Sequence, residues 1–323
     1  LFRSKNNKST MIKNLKLSFY GIIMLGLVAS SVGQTTAQGN IANGDYHTAV
    51  ILSDGTVKTW GSNLSGQLGL GDALNKGDGA GEMGDNLSIV DLGTGRTAVR
   101  VAAGANHTVV ILDDGSVKAW GNNTYGQLGQ GHTNNIGDGA GEMGDNLSAV
   151  DLGIGRTAVA IAAGDNHTAV ILDDGTIKVW GQNAFGQLGQ GNTIQLGDDS
   201  GEMGSNLSTV NLGTGRTAVY LAAGGGNTAV ILDDGTVKVW GKNTFGQLGQ
   251  GHINSIGDDS NEMGDNLLAV NLGTSITAID IAVGTNHIIA ILNDSTLKAW
   301  GYNNRGQLGY GHINNLGDGA GEM

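Results

Sequence analysis

Two residue types are missing altogether: the 323 residues contain no cysteine and no proline. Without cysteine there is no disulfide framework, no thiolate metal site and no lipid-modified thiol. The redox compartment stays open. Without proline, the turns fall to glycine, which supplies 58 residues at fixed places rather than in disordered tracts. Positive charge is also scarce. There are 17 lysines and arginines against 29 acids, for a net charge of −12. Five of those 17 lie in the first 37 residues, which hold no acid, leaving 12 bases against 29 acids for the rest. Such a surface repels phosphate backbones, because nucleic-acid affinity comes largely from Lys and Arg displacing counterions; no nucleic-acid partner is expected. No G-x-S-x-G elbow stands out, and Gly-Gln-Leu-Gly-Gln-Gly lacks the G-K-[ST] ending of a phosphate loop. No acid/base pair stands out either. The chain reads as non-enzymatic and without a cofactor.

Long apolar runs are missing too. The longest, Leu17 to Val32, is interrupted by Gly and Ser and is shorter than the roughly 18–20 residues that span a bilayer. It follows the basic start Met11-Ile-Lys-Asn-Leu-Lys and precedes small residues up to Ala37, the layout of a secretory signal peptide. The expected organisation is an upstream translated segment at 1–10, a signal peptide at 11–37, a leader at 38–43 and one repeat domain from 44 to 323. The protein is then secreted or held at the cell surface, without stable membrane insertion after cleavage. Leu1 in place of Met, and an end at Met323 inside a repeat, lead to the expectation of a fragment of a longer reading frame.

What is present is a repeat. The five tryptophans, Trp60, Trp120, Trp180, Trp240 and Trp300, are 60 residues apart without drift. A period that regular marks supersecondary units that bury apolar surface only against their neighbours. His107-Thr-Val-Val-Ile-Leu112 and Val117-Lys-Ala-Trp120 are short apolar runs, with Asp114-Gly115 suited to the tight turn between them. The first run does not alternate apolar with polar, which predicts a strand covered on both faces. Thr157 to Ala163 gives a third strand and Ala149 to Leu152 a weaker fourth. The fold class is therefore all-β: a β-propeller of about 60-residue four-stranded blades, here an incomplete ring of four full repeats and a partial fifth.

The pattern G-x-x-H-T-x-x-x-L-x-D-G-x-V-x-x-W-G-x-N-x-x-G-Q-L-G-x-G, carried by five copies between Ile41 and Met323, resembles the repeat of the regulator of chromosome condensation family. That resemblance implies a propeller, usually of seven blades, that binds macromolecules by its faces. Its members' partners range from small GTPases and chromatin to β-lactamase, so fold leaves function open. The family founder also implies guanine-nucleotide exchange on a small GTPase. Its wedge-like insertion has no counterpart in the constant 60-residue step seen here.

Three sets of residues are candidates for chemistry. The acidic loop Gly137 to Asn146 offers Asp138, Glu142 and Asp145 as hard oxygen ligands for calcium, but without the EF-hand spacing; turn-capping is the simpler role. Four copies carry a histidine at the start of the hairpin strand (His47, His107, His167 and His287) and one carries Asn227. An imidazole and an amide can both donate and accept, which fits a structural hydrogen bond better than a metal. Lys118 and its equivalents Lys58, Lys178, Lys238 and Lys298 share a strand face with the tryptophans. Their stems are expected to pack on the indole, with the ammonium in water or over the ring.

Differences between copies carry more information. One position reads Ser65, Tyr125, Phe185, Phe245, Arg305; a nearby window opens with Asp72, His132, Asn192, His252 and His312. On a propeller these loops share one face, and aromatic and Arg side chains are enriched at binding hot spots. Tyr125, Phe185, Phe245, Arg305, His132, Asn192, His252 and His312 are thus the candidate partner-binding residues. The aromatics could equally fill gaps between blades. The expected function is a secreted binding module for a protein or surface glycan. The alternatives are an exchange factor for a small GTPase and a calcium-stabilised adhesion module.

Overall fold

Each Asp-Gly pair turns the chain between two antiparallel strands. In the second copy, β5 (His107–Leu112) and β6 (Val117–Gly121) meet at Asp114-Gly115, where Gly115 holds φ +80° and donates its N–H to Leu112 O at 2.9 Å. The Asp114 carboxylate closes the turn by accepting from the N–H and hydroxyl of Ser116 at 3.0 and 2.6 Å. The protein is described from a computed structural model covering residues 39–323. The upstream segment at 1–10 and the signal-peptide reading at 11–37 fall outside the described residues.

Strands β1 (Ile41–Asn43), β2 (His47–Ile51) and β3 (Val57–Gly61) form the first sheet, and β4 (Ala98–Ala103) joins β5 and β6 in the second. The third consists of β7 (Ala158–Ala163), β8 (His167–Leu172) and β9 (Ile177–Gly181). The fourth has β10 (Ala218–Gly224), β11 (Asn227–Leu232) and β12 (Val237–Gly241). The fifth has β13 (Ala278–Val283), β14 (His287–Leu292) and β15 (Leu297–Gly301). All are antiparallel meanders with a constant register, Thr108 opposite Trp120 and Thr168 opposite Trp180. Two expectations change in detail. Part of the leader, Ile41–Asn43, is itself strand β1, paired with Thr48 to Val50. The fourth strand, at Ala149 to Leu152, is a single rung: Val150 N–H donates to Val117 O at 2.8 Å. Pairing stops there because Asp151 accepts the N–H of Gly153 at 2.9 Å, and Gly153, at φ +103°, turns the chain away.

Burial on both faces of the middle strand comes from stacking sheet on sheet. One core cluster joins Ala49, Ile51 and Val57 of the first sheet to Val101, Val110, Leu112 and Trp120 of the second. A second joins Val109, Ile111 and Val117 to Ile161, Val170, Leu172 and Trp180. The same arrangement links the third sheet to the fourth and the fourth to the fifth. Each of Trp120, Trp180, Trp240 and Trp300 is thus a fully buried peg driven toward the preceding sheet, where the area lost to water makes it a major stabilising element.

The polar atoms at these interfaces follow one circuit. Trp120 Nε1–H and Thr108 Oγ–H both donate to the Gln67 carbonyl of the preceding repeat, at 3.1 and 2.8 Å. Since the Thr108 hydroxyl spends its proton there, it accepts from His47 Nε2 at 3.0 Å. His107 meets Thr168 and His167 meets Thr228 at 3.1 and 3.0 Å. These rings are therefore Nε2–H tautomers with a bare Nδ1 that has no protein partner. Gly104 makes room: a Cβ there would fall 2.1 Å from His107 Cε1. In the last interface the threonine is Ile288, and the histidine facing it is replaced by the shorter Asn227, which instead donates to Lys242 O at 2.6 Å.

Lys118 departs from expectation. Its side chain is buried and its ammonium donates to Leu92 O and Gly144 O at 2.9 and 2.7 Å, tying two loop segments together. Lys178 and Lys238 repeat the contact. Burial lowers the Lys118 pKa, opposed by Asp145 and Asp91.

Candidate partner-binding face

An antiparallel meander puts the β5–β6 turn at one end and both the β4–β5 turn and the post-β6 loop at the other. The last two touch directly, Asn122 N–H donating to Asn106 O at 2.8 Å. Every candidate partner residue lies in this loop or in its equivalents after β9, β12 and β15, together the post-β6 loops, so all of them share one face of the repeat array.

Invariant side chains hold the loop. Asn123 Oδ1 accepts from Leu128 N–H at 3.0 Å while its Nδ2 donates to His132 O at 2.6 Å. Gln127 Oε1 accepts from Tyr125 N–H at 2.9 Å. The window residues also have a job inside the loop. Asp72 Oδ1, Asn192 Oδ1 and the Nδ1 atoms of His132, His252 and His312 each accept the N–H two residues on, at 2.8–3.2 Å. Variation there is restricted to side chains that can accept, and what each ring presents outward is its other edge.

The aromatic position behaves differently. Phe185 is exposed and sits under Lys242 of the next repeat, with the ammonium 5.5 Å from the ring centroid. Phe245 packs on Tyr302 of the next repeat with centroids 4.2 Å apart and planes tilted by 34°. Tyr125 is half-buried and Arg305 exposed. Phe185 and Phe245 therefore each meet the residue that follows the hairpin of the next repeat, a position that reads Ser62, Asn122, Gln182, Lys242 and Tyr302. That second set was missed by sequence reasoning, although its variation was equally visible. Tyr310 extends the patch, its ring stacked 6.1 Å from His312 and its hydroxyl accepting from Ala299 N–H at 3.1 Å. Over repeats three to five the face thus carries an aromatic and cationic string of two cross-repeat pairs, Phe185 with Lys242 and Phe245 with Tyr302, followed by the exposed Arg305.

Asp138, Glu142 and Asp145 are not brought together. Glu142 turns inward to accept from Gly137 N–H and Gly139 N–H, both at 2.8 Å. Asp145 reaches Thr94, accepting from its N–H and hydroxyl at 2.8 and 2.6 Å, and the hydroxyl contact first of all holds its carboxyl below the usual range. Among the described residues no three His, Asp or Glu side chains gather as a metal site would require.

A family model for the RCC1-like domain matches residues 27–317. The chain is 29% identical to the ultraviolet-B receptor UVR8 of Arabidopsis thaliana over 277 residues, which cover 84% of this chain and 54% of UVR8. It is 26% identical to the human E3 ubiquitin-protein ligase HERC2 over 277 residues, 85% of this chain and 5% of that protein. Among solved structures it resembles human WBSCR16 (TM-score 0.63, 23% identity, 85% of this chain and 64% of that one). It also resembles yeast RCC1 (Prp20) bound to Kap60 (TM-score 0.63, 19% identity, 86% and 59%). The chain spans about half the length of UVR8 and less than two thirds of each solved neighbour.

Proposed function

This chain belongs to the RCC1-like domain family, and on that premise we propose that it is a non-enzymatic binding module that takes a protein partner on the face carrying the post-β6 loops. One observation carries the reading. Between copies, Trp, Gln and Asn recur at every equivalent frame position, while the variable loop positions pair across repeats where Phe185 meets Lys242 and Phe245 meets Tyr302. Hot spots need rigid aromatic and cationic anchors on a preorganised surface, and this string supplies both. Family members support a protein partner: the RCC1 neighbour was solved bound to Kap60, and Prp20p is described by its binding to Gsp1p and histones. Export by the segment at 11–37 would place the module outside the cell or on its surface.

The test is affinity capture with the wild-type chain and with the triple variant Y125A/F185A/F245A. The variant is expected to lose the captured protein while its Tm falls by only a few degrees. Undiminished capture, or collapse of the fold, would count against the aromatic string. A small-GTPase panel assayed for accelerated nucleotide release separates exchange activity from simple binding.

A further inference from the structure

Within that face, one buried amide has lost the acceptor that its counterparts keep. Gln67 Nε2 donates to Asn106 Oδ1 at 3.3 Å and Ser62 Oγ at 3.4 Å, and Gln127 Nε2 to Asn122 Oδ1 at 2.9 Å. Gln187 and Gln247 are equally buried, and each still uses Oε1 to hold the loop, yet the Nε2 of each has no protein acceptor. For Gln187 the reason lies in the sequence. The counterpart of Asn106 is Gly226, which has no side chain, and Gln182 is taken by Asn166 Nδ2 at 3.3 Å. Gln247 differs: the counterpart of Asn106 is Asn286, which is retained and whose Oδ1 is itself without a donor, so only Gln187 has lost its acceptor to the sequence.

The loss at Gln187 opens one notch. A Cβ on Gly226 would lie 3.3 Å from Phe185 Cδ2, 3.6 Å from Lys242 Cβ and 3.9 Å from Gln187 Nε2. The missing side chain at Gly226 therefore leaves the Gln187 amide beneath the space beside Phe185 and Lys242. A buried donor left unpaired costs about 1–3 kcal/mol, so the Gln187 amide, flanked by an ammonium, calls for an acceptor from outside. In a chain of net charge −12, this is a local reversal: the notch offers donors and a cation.

We infer that this notch, formed by Gln187, Gly226 and Lys242, receives a side-chain carboxylate of an acidic protein segment. The inference rests on the proposed protein-binding function of this face. A carboxylate matches the donors in charge and acceptor capacity. A peptide fits better than a glycan because the surrounding loops also expose Phe185, Ile253, Tyr310 and Ile313, which apolar side chains of the same segment would cover. Asp165, whose carboxyl is pushed up by burial, lies within the field of Lys242 and competes with the incoming group.

The test titrates the 15N-labelled full chain with an alternating Glu-Leu peptide and with its Gln-Leu analogue, following the side-chain NH2 signal of Gln187; anisotropy of the labelled peptides gives affinities. The acidic peptide should shift that signal and bind at least fivefold more tightly than the neutral one. K242Q and G226N should each weaken it at least fivefold with Tm retained, since Asn at that position is what the second and third repeats carry. D165N should tighten it. An unmoved Gln187 signal, equal affinity for the two peptides, or binding indifferent to K242Q and G226N would overturn the assignment. So would a polyuronate that shifts this signal while the peptide does not. If a partner captured by the wild type is lost from the aromatic triple variant but not from K242Q, this inference fails and the broader function stands.

Discussion

Ser295 adopts φ 68° at the turn where the preceding copies place Gly115, Gly175 and Gly235 near +80°. The left-handed region costs a residue with a Cβ roughly 1 kcal/mol, while the Asp294 cap on Thr296 is already made at 2.6 and 2.9 Å. Ser295→Gly should therefore raise stability by about 0.5–1 kcal/mol in urea denaturation, and an unchanged midpoint would contradict a strained turn. The histidines act at the same scale. Burial depresses His47 to about 4, His107 to about 3 and His167 to about 4, against about 6.5 in the unfolded chain. The unfolded state thus binds more protons as pH falls below about 6.5. Stability is full above that value and is lost toward the folded pKa values, at up to roughly 1.4 kcal/mol per pH unit per ring. Between pH 6.5 and 4.5 this outweighs carboxylate titration, whose depressed groups act lower. The double variant H107N/T168I, which copies the Asn227 and Ile288 pair, should fold and show a shallower acid slope over that window. An identical slope would mean that His107 does not titrate with unfolding.

At the scale of the element, the structure is a hairpin plus the segments it anchors. Lys118 bridges Leu92 O and Gly144 O from buried surroundings, so Lys118→Met keeps the stem but strands two carbonyls. The expected cost is about 2 kcal/mol, read from thermal and urea unfolding; a loss below about 0.5 kcal/mol would show that water replaces the ammonium. The hairpins, their Asp-Gly turns and the double-sided burial were legible in the sequence because each depends on residues a few positions apart. The role of Lys118 was not, although its face was. A period of two assigns it to the side of Trp120 but is silent about carbonyls that arrive from loops 26 residues away in either direction. The fourth strand was overread for a related reason. Ala149 to Leu152 has strand composition, and the Asp151 and Gly153 turn that ends its pairing after one rung depends on geometry.

At the scale of the whole array, a constant 60-residue step lets one interface be used four times. Each copy supplies a Trp and a Thr to the Gln carbonyl before it, at 2.8–3.1 Å; only the Trp contact persists at the last interface, at 3.0 Å. The frame is thereby fixed, and the loops are free to differ. The aromatic position was readable as variable; its pairing with Lys242 or Tyr302 was not, because that contact exists only once successive sheets are stacked. The window residues were readable as polar surface, but their use as acceptors inside the loop required the backbone. The proposed binding function requires the partner to meet the face of the post-β6 loops. Hydrogen–deuterium exchange of the chain with and without its captured partner decides this directly. Protection confined to the loops around Phe185, Lys242, Phe245 and Tyr302, with the turns at Asp114, Asp174 and Asp234 unchanged, is the predicted result. Protection at those turns, with the post-β6 loops exchanging as in the free chain, would contradict it.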